Sequence, residues 1–253
     1  MSYKMQLPPS IQYGIAQWQG DRTTQQDAAD LAVHPREQSV LGVVADGMGG
    51  MANGERFSQL ALQTILSAFV HSAEPDTPAL LLRLLLAANE QTQKLQSEEE
   101  QGGTTVVMAA IHGRCLWIAS VGDSSIYLYR GGTILQLNRQ HTLGTLMDEK
   151  VCSGLLSWED AENNAYRHAI NSFIGDERIK HVDLAESPIH CLPNDVVLLM
   201  SDGVTGTLSQ KEMADCICKS DTPQQMTAQL IQRIQTKKQK HQDNATVLAI
   251  KIG

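Results

Sequence analysis

Residues 104–137 read TTVVMAAIHGRCLWIASVGDSSIYLYRGGTILQL. Three β-rich runs, 104–111, 115–121 and 125–130, are separated by His112-Gly113-Arg114 and Gly122-Asp123-Ser124. Gly131-Gly132 then turns into a fourth run, 133–137. Such short connections join antiparallel neighbours, because a parallel crossover needs about a dozen residues or more. A meander therefore stands at the centre of the chain, and the rest is read against it.

Toward the N-terminus, SVLGVVA (39–45) is a short, β-branched apolar run of the kind that fills a strand. A helical region covers 54–72. A second helix opens at Thr77-Pro78, where threonine caps and proline suits the first helical position. Its Leu81, Leu84, Leu85, Ala88 and Leu95 recur at helical spacing, and Glu98-Glu99-Glu100 leave for solvent. Toward the C-terminus, 141–180 is polar and weakly periodic, an excursion with one helix starting at the Ser157-x-x-Asp160 cap. An apolar strand, 195–200, ends at Ser201-Asp202-Gly203. Ser209-x-x-Glu212 and Thr222-Pro223-x-Gln225 match capping boxes, Met226, Leu230, Ile231 and Ile234 stripe the second of these helices, and 245–252 is a closing strand. Strand groups alternating with helix pairs imply an α+β fold, a four-layer α-β-β-α sandwich of two antiparallel sheets flanked by helix pairs.

No repeat, low-complexity tract or Pro/Gly linker divides the 253 residues, so 1–253 reads as one domain. Apolar residues at 42% and charged residues at 19% are ordinary globular composition. Twenty Lys plus Arg against 28 Asp plus Glu leave a net charge of −8. That surface repels phosphate backbones and anionic lipid, which excludes nonspecific nucleic-acid binding and polybasic membrane docking. The apolar stretch 79–88 is broken by Arg83 and too short to span a bilayer, and the start, MSYKMQLPPS, lacks a signal-peptide core. Five scattered cysteines read as buried small hydrophobes in a reducing compartment. The expectation is a soluble, cytoplasmic monomer.

The chemistry lies in the aspartates. Asp46 follows SVLGVVA, Asp123 follows LWIASVG, Asp202 follows VVLLMS, Asp243 precedes ATVLAI, and Asp27 is expected in the loop after the first strand. A strand end is rigid and holds a carboxylate accurately. Carboxylates gathered from several strand ends repel one another unless a cation neutralises them. All-oxygen ligands without a His-x-x-x-His or clustered thiols suit Mg²⁺ or Mn²⁺ over Zn²⁺. An Asp-Gly after a strand is most often a turn. A turn does not require Asp46-Gly47-Met48-Gly49-Gly50, with three glycines in five residues, a run that lets backbone approach an ion closely. Arg22, five residues before Asp27, has the planar fork that suits two phosphate oxygens.

These residues carry a resemblance. Gln19-Gly20-Asp21-Arg22-Thr23-Thr24-Gln25-Gln26-Asp27-Ala28 resembles the first motif of the metal-dependent protein phosphatases, the type 2C Ser/Thr phosphatases. Asp46-Gly47-Met48-Gly49-Gly50 resembles that family's Asp-Gly-x-Gly-Gly in its bacterial form. Gly103-Thr104-Thr105, Val121-Gly122-Asp123-Ser124, Ser201-Asp202-Gly203-Val204-Thr205 and Asp243-Asn244-Ala245-Thr246 follow in the family's order. The resemblance also implies the α-β-β-α sandwich. It implies that Asp46 bridges two Mn²⁺ or Mg²⁺ ions, with the Gly47 carbonyl oxygen on one. Asp202 and Asp243 would complete the other ion's shell. Asp27 would act directly or through a metal-bound water, and Asp123 with Asp202 would sit at a weaker third site. Arg22 would hold the substrate phosphate, and the nucleophile would be a metal-bridging hydroxide formed by lowering the pKa of water to about 7. No Cys-x₅-Arg offers a cysteine nucleophile instead.

Three positions depart from the family pattern. Ser125 stands where Gly-Asp-Ser-Arg has its arginine. Gln140-His141 replaces the usual Asp-His, with His141 expected to be a structural hydrogen-bonding residue. Met48 stands where many eukaryotic members have histidine. Residues 141–180 occupy the place of the family's flap, a segment that influences substrate choice. Trp158 and Tyr166 there read as its own small core, with substrate contact as the alternative. The expected activity is metal-dependent removal of phosphate from Ser and Thr of proteins, opposing a Ser/Thr kinase of the same cell. Excess enzyme would then lower that kinase's autophosphorylation. The alternatives are a pseudophosphatase that binds phosphoproteins and a phosphatase of a phosphorylated anti-sigma-factor antagonist.

Overall fold

In the computed structural model, which describes residues 7–8, 10–49, 53–73, 77–97 and 101–253, the chain begins with β1 (Ile11–Trp18), β2 (Asp27–Val33) and β3 (Val40–Gly49). Helices α1 (Asn53–Val70) and α2 (Pro78–Gln93) follow, then two hairpins, β4 (Gly102–His112) with β5 (Cys115–Val121) and β6 (Ser125–Arg130) with β7 (Thr133–Gln136). The polar excursion holds α3 (Leu143–Cys152) and α4 (Trp158–Glu162). Beyond it come β8 (Asp183–Leu184), β9 (Ile189–His190), β10 (Val196–Met200), α5 (Asp202–Thr205), α6 (Gln210–Cys218), α7 (Pro223–Lys237) and β11 (Ala245–Ile252).

One sheet has the order β1-β11-β10-β6-β7 and the other β2-β3-β4-β5-β8, with β9 also on β5. All pairings are antiparallel. The layers follow from side-chain alternation along strands that are buried on both faces. Leu41, Val43 and Ala45 of β3 pack against Ile65 and Phe69 of α1 and Leu81 and Leu85 of α2. Val40 and Val44, one register step away, face the other sheet with Val197 and Leu199 of β10 and Leu248 and Ile250 of β11. Val196, Leu198, Val247 and Ala249 turn the other way, onto Met213 of α6 and Leu230 and Ile234 of α7. Period-two side chains from a doubly covered strand supply both layers, so these strands read as continuous apolar runs. Each such buried Leu, Ile or Val contributes about 1.5–3 kcal/mol before the entropy of ordering it. The arrangement is the expected α-β-β-α sandwich.

Both C-terminal capping boxes form, with Ser209 and Thr222 accepting from the backbone N–H of Glu212 and Gln225. Thr77 caps α2 and Ser157 caps α4 as expected.

Several expectations need correction. The central meander is not continuous: β5 and β6 do not pair but belong to different sheets, because Gly122-Asp123-Ser124 carries the chain from one sheet to the other. Asp27 is the first residue of β2 and not a loop residue. Strand β3 runs on through Asp46 to Gly49, paired with β4, so the glycine run is strand rather than turn. Asp202 opens the short helix α5 and not a simple turn. The excursion holds two helices, not one, because Thr142 caps α3. Trp158 and Tyr166, at 60% and 71% exposure, form no core of their own. Only Cys191 of the five cysteines is buried, and all five are free thiols. The Glu98-Glu99-Glu100 run and Gly50 lie outside the described residues. Among the described residues, no helix is long and apolar enough to cross a membrane.

Candidate active site

The aspartates come from both sheets. Asp27 and Asp46 stand directly opposite each other on β2 and β3. Asp123 sits in the β5–β6 turn, and Asp202 and Asp243 flank β10 and β11 of the other sheet. Asp27 and Asp123 are buried, while Asp46, Asp202 and Asp243 are half-buried.

A polar seam between the sheets sets their positions. Ser201 Oγ donates to Asp27 Oδ2 at 2.8 Å and accepts from the Thr246 amide at 2.9 Å. Gln17 Nε2 donates to the Asp27 carbonyl and to Thr246 Oγ1. Thr104 Oγ1 donates to the Asp46 carbonyl at 2.9 Å. Asn244 accepts from the Gln26 amide through Oδ1 and donates through Nδ2 to the Gln19 and Thr24 carbonyls, tying the Arg22 loop to β11. Gln242, also buried, donates to the Gly203 and Asp243 carbonyls and accepts from Thr207 Oγ1. Gln17, Gln242 and Asn244 are supporting residues that the strand-end argument does not single out. A clue to them is their polar type beside an aspartate or among apolar strand residues.

Glycine is required at two contacts. A Cβ on Gly47 would come within 2.1 Å of the Gly54 carbonyl oxygen, and one on Gly203 within 2.0 Å of the Asn244 carbonyl oxygen. The first lets β3 pass against the start of α1, with the Gly47 carbonyl facing Gly54. The second lets α5 begin against the Asp243-Asn244 backbone.

The electrostatics are those of crowded carboxylates. Burial, then repulsion from Asp27, Asp202, Asp123 and Asp243, pushes Asp46 well above the ordinary carboxylate range. Burial raises Asp27 to about 6, against hydrogen bonds from Thr246 and Ser201 that favour its charged form. Burial, then Asp202 and Asp243, raises Asp123 to about 7. Asp202 is raised too, by burial and then Asp243. Arg22 Nη2 donates to Asp243 Oδ2 at 2.5 Å, and that hydrogen bond raises its own pKa, helped by the charges of Asp202 and Asp46. Each of the six predicted side chains thus lies within electrostatic reach of at least two of the others. The Arg22–Asp243 pair is 56% and 36% exposed. An exposed pair is worth only about 0–1 kcal/mol, so an anionic ligand can take the guanidinium over.

The donor set fits hard divalent cations. Its side chains are carboxylates, their charges repel, and Asp27 Oδ1 and Asp123 Oδ1 are buried without a hydrogen-bond partner. Stranding a buried carboxylate oxygen is costly unless a cation meets it. Among the described residues, no three acidic, His or Cys side chains already converge on a single point. Closing such a shell would require their side chains to adjust.

Comparison with known proteins points the same way. The family profile described as Protein phosphatase 2C matches residues 19–246. The Serine/threonine phosphatase stp of Listeria welshimeri serovar 6b is 30% identical over 189 residues, covering 72% of this chain and 73% of that protein. The fold matches the S. agalactiae serine/threonine phosphatase with a TM-score of 0.84 at 24% identity, covering 96% of this chain and all of that one. It also matches the catalytic domain of the serine threonine protein phosphatase PstP in complex with two manganese ions, with a TM-score of 0.77 at 23% identity over 96% of this chain and 98% of that one.

Proposed function

We propose a function for a chain that belongs to the protein phosphatase 2C family: it removes phosphate from phosphoserine and phosphothreonine residues of proteins. The observation that carries this reading is the cluster in which the carboxylates of Asp27, Asp46, Asp123, Asp202 and Asp243 repel their neighbours beside the exposed guanidinium of Arg22. That is a cation site next to an anion site, which a phosphate monoester dianion needs.

Asp46, the Gly47 carbonyl, Asp202 and Asp243 would hold two Mn²⁺ or Mg²⁺ ions, Asp27 would support them, and Asp123 with Asp202 would hold a weaker third. Bound there, the ions would supply Lewis-acid polarisation of the phosphoryl group and a water acidified toward neutral pH. The rest falls to this chain's residues. Arg22 orients the phosphate through its two-pronged donor face. Ser201 fixes Oδ2 of Asp27 and leaves Oδ1 without a donor. Thr104 and Gln242 hold the backbone carbonyls of Asp46 and Asp243, and Asn244 ties the Arg22 loop to β11, so the backbone that carries these groups needs little reorganisation when the dianion arrives.

The reading extends to a single catalytic domain over 1–253, with 141–180 as its flap, acting as a cytoplasmic monomer on phosphoproteins made by a Ser/Thr kinase. Hydrolysis of a phosphothreonine peptide by the purified chain tests the chemistry. Turnover should require Mn²⁺, stop with chelator, and fall at least about 10²-fold in Asp202→Ala. A folded, Mn²⁺-supplied protein without turnover would favour the pseudophosphatase.

A further inference from the structure

The turn that carries Asp123 is held along its whole length by one short segment, residues 137–141. Gly122 donates its amide to His141 Nδ1 at 3.1 Å, and its carbonyl accepts from the His141 amide at 2.8 Å. Gln140 Nε2 donates to the Asp123 carbonyl at 2.5 Å and to Ser125 Oγ at 3.1 Å. Asn138 donates to the Ser124 carbonyl and accepts from the Ile126 amide, whose carbonyl accepts from the Leu137 amide. Five consecutive residues, 122–126, are therefore each tied to this segment. On the other side of the turn, Ser124 Oγ meets Thr105 Oγ1 at 2.7 Å. The backbone at Gly122, with φ +103°, leaves no room for a side chain against Thr105.

Gln140 is the member that reaches Asp123 itself. Asp202 and Asp243 repel the buried Asp123 carboxylate, and a turn free to move would relieve that repulsion by moving. The amide opposes that displacement with two donated hydrogens and no charge. A carboxylate at 140 could not donate to the Asp123 carbonyl, and an arginine at the fully buried Ser125 position would bury a cation. The two departures from the family pattern, Ser125 and Gln140, are thus partners in one contact.

We propose that Gln140 and Ser125 act as one neutral positioning unit that holds Asp123 where a cation can use it, so that the two residues are exchangeable only together. This inference deepens the phosphatase reading and rests on it for the identity of the cation. The experiment compares wild type, Gln140→Met, Ser125→Arg, Gln140→Asp and the double exchange Ser125→Arg/Gln140→Asp. It uses calorimetric titration with Mn²⁺ and melting temperature in chelator.

Gln140→Met keeps the volume and removes the donor. It should weaken the weakest Mn²⁺ binding event about tenfold while moving the melting temperature by no more than about 4 °C. The double exchange should melt well above the sum expected from its two single exchanges. Unchanged Mn²⁺ binding in Gln140→Met, or strict additivity in the melting temperatures, would overturn the unit. If wild type neither bound Mn²⁺ nor hydrolysed a phosphothreonine peptide, the phosphatase reading would fail instead. The melting temperatures would still decide the pairing of residues 125 and 140.

Discussion

Arg22 and Asp243 show what single residues contribute. Both Asp243 oxygens have partners, Oδ1 accepting from the Asn244 amide and Oδ2 from Arg22. A cation on Asp243 and a phosphate on Arg22 therefore reinforce each other, since each relieves a group of its present partner. Arg22→Ala should lower kcat/KM for a phosphopeptide by about 10–10²-fold, and Arg22→Lys should recover part of it, because a lysine keeps the charge but not the fork. Steady-state kinetics at saturating Mn²⁺ would check both. Asp46, Asp123 and Asp202 are visible in the sequence because an aspartate beside a glycine at the end of an apolar run is a local pattern, Asp243 because it directly precedes such a run, and Arg22 because it lies five residues before Asp27. Ser201 as the partner of Asp27 is not, since the two are 174 positions apart and meet only when the sheets stack. His141 matches its expected structural role. It is buried, accepts from Gly122 and is pushed down to about 4 by desolvation, so it stays neutral at physiological pH.

The elements that were legible carry a repeating pattern or a cap. Strands β5 and β6 begin and end where the turn residues place them, although they join different sheets, and α6 and α7 start at their capping boxes. Helix α3 escapes because Gly144 alone of its residues is buried, so it has no apolar stripe. Strand β2 escapes for a related reason. It lies at a sheet edge, is half-exposed over most of its length, and carries Asp30 in its middle. Strands β8 and β9, of two residues each, are too short to show any period. The extension of β3 through its glycines has a testable cost. Gly47→Ala would drive a methyl into the Gly54 carbonyl, a backbone atom with no rotamer to yield. Urea unfolding should show a loss of about 3 kcal/mol or more. A loss under about 1 kcal/mol would mean that α1 can withdraw from the strand.

At the scale of the molecule, the crowded carboxylates make stability depend on pH. Asp27 and Asp123, raised to about 6 and about 7, keep protons in the folded chain at pH values where the unfolded chain, with aspartates near 3.8, has released them. The folded state binds more protons over that window, so its stability is highest below it and falls as pH rises through the folded values. In chelator, the melting temperature should drop between pH 5 and pH 8. Mn²⁺ should raise it, and by more at pH 8, because the ion takes the place of the protons. A melting temperature in chelator that rises over the same interval would contradict the crowding of these carboxylates. The sequence by itself determined the central strands and their two hairpins, the doubly covered strands, most of the caps and the acidic residues, because periodicity, turn chemistry and residue type act over a few neighbouring positions. Only the tertiary structure decided that β5 and β6 part into different sheets, that Asp27 faces Asp46 on neighbouring strands, that Gln17, Ser201 and Asn244 link the two sheets at Gln26 and Asp27, and that Gln140 answers Ser125. Strand pairing brings the two aspartates together, and the stacking of the two sheets, not any local preference, brings Asn244 and Ser201, 218 and 174 positions away, within reach of Gln26 and Asp27.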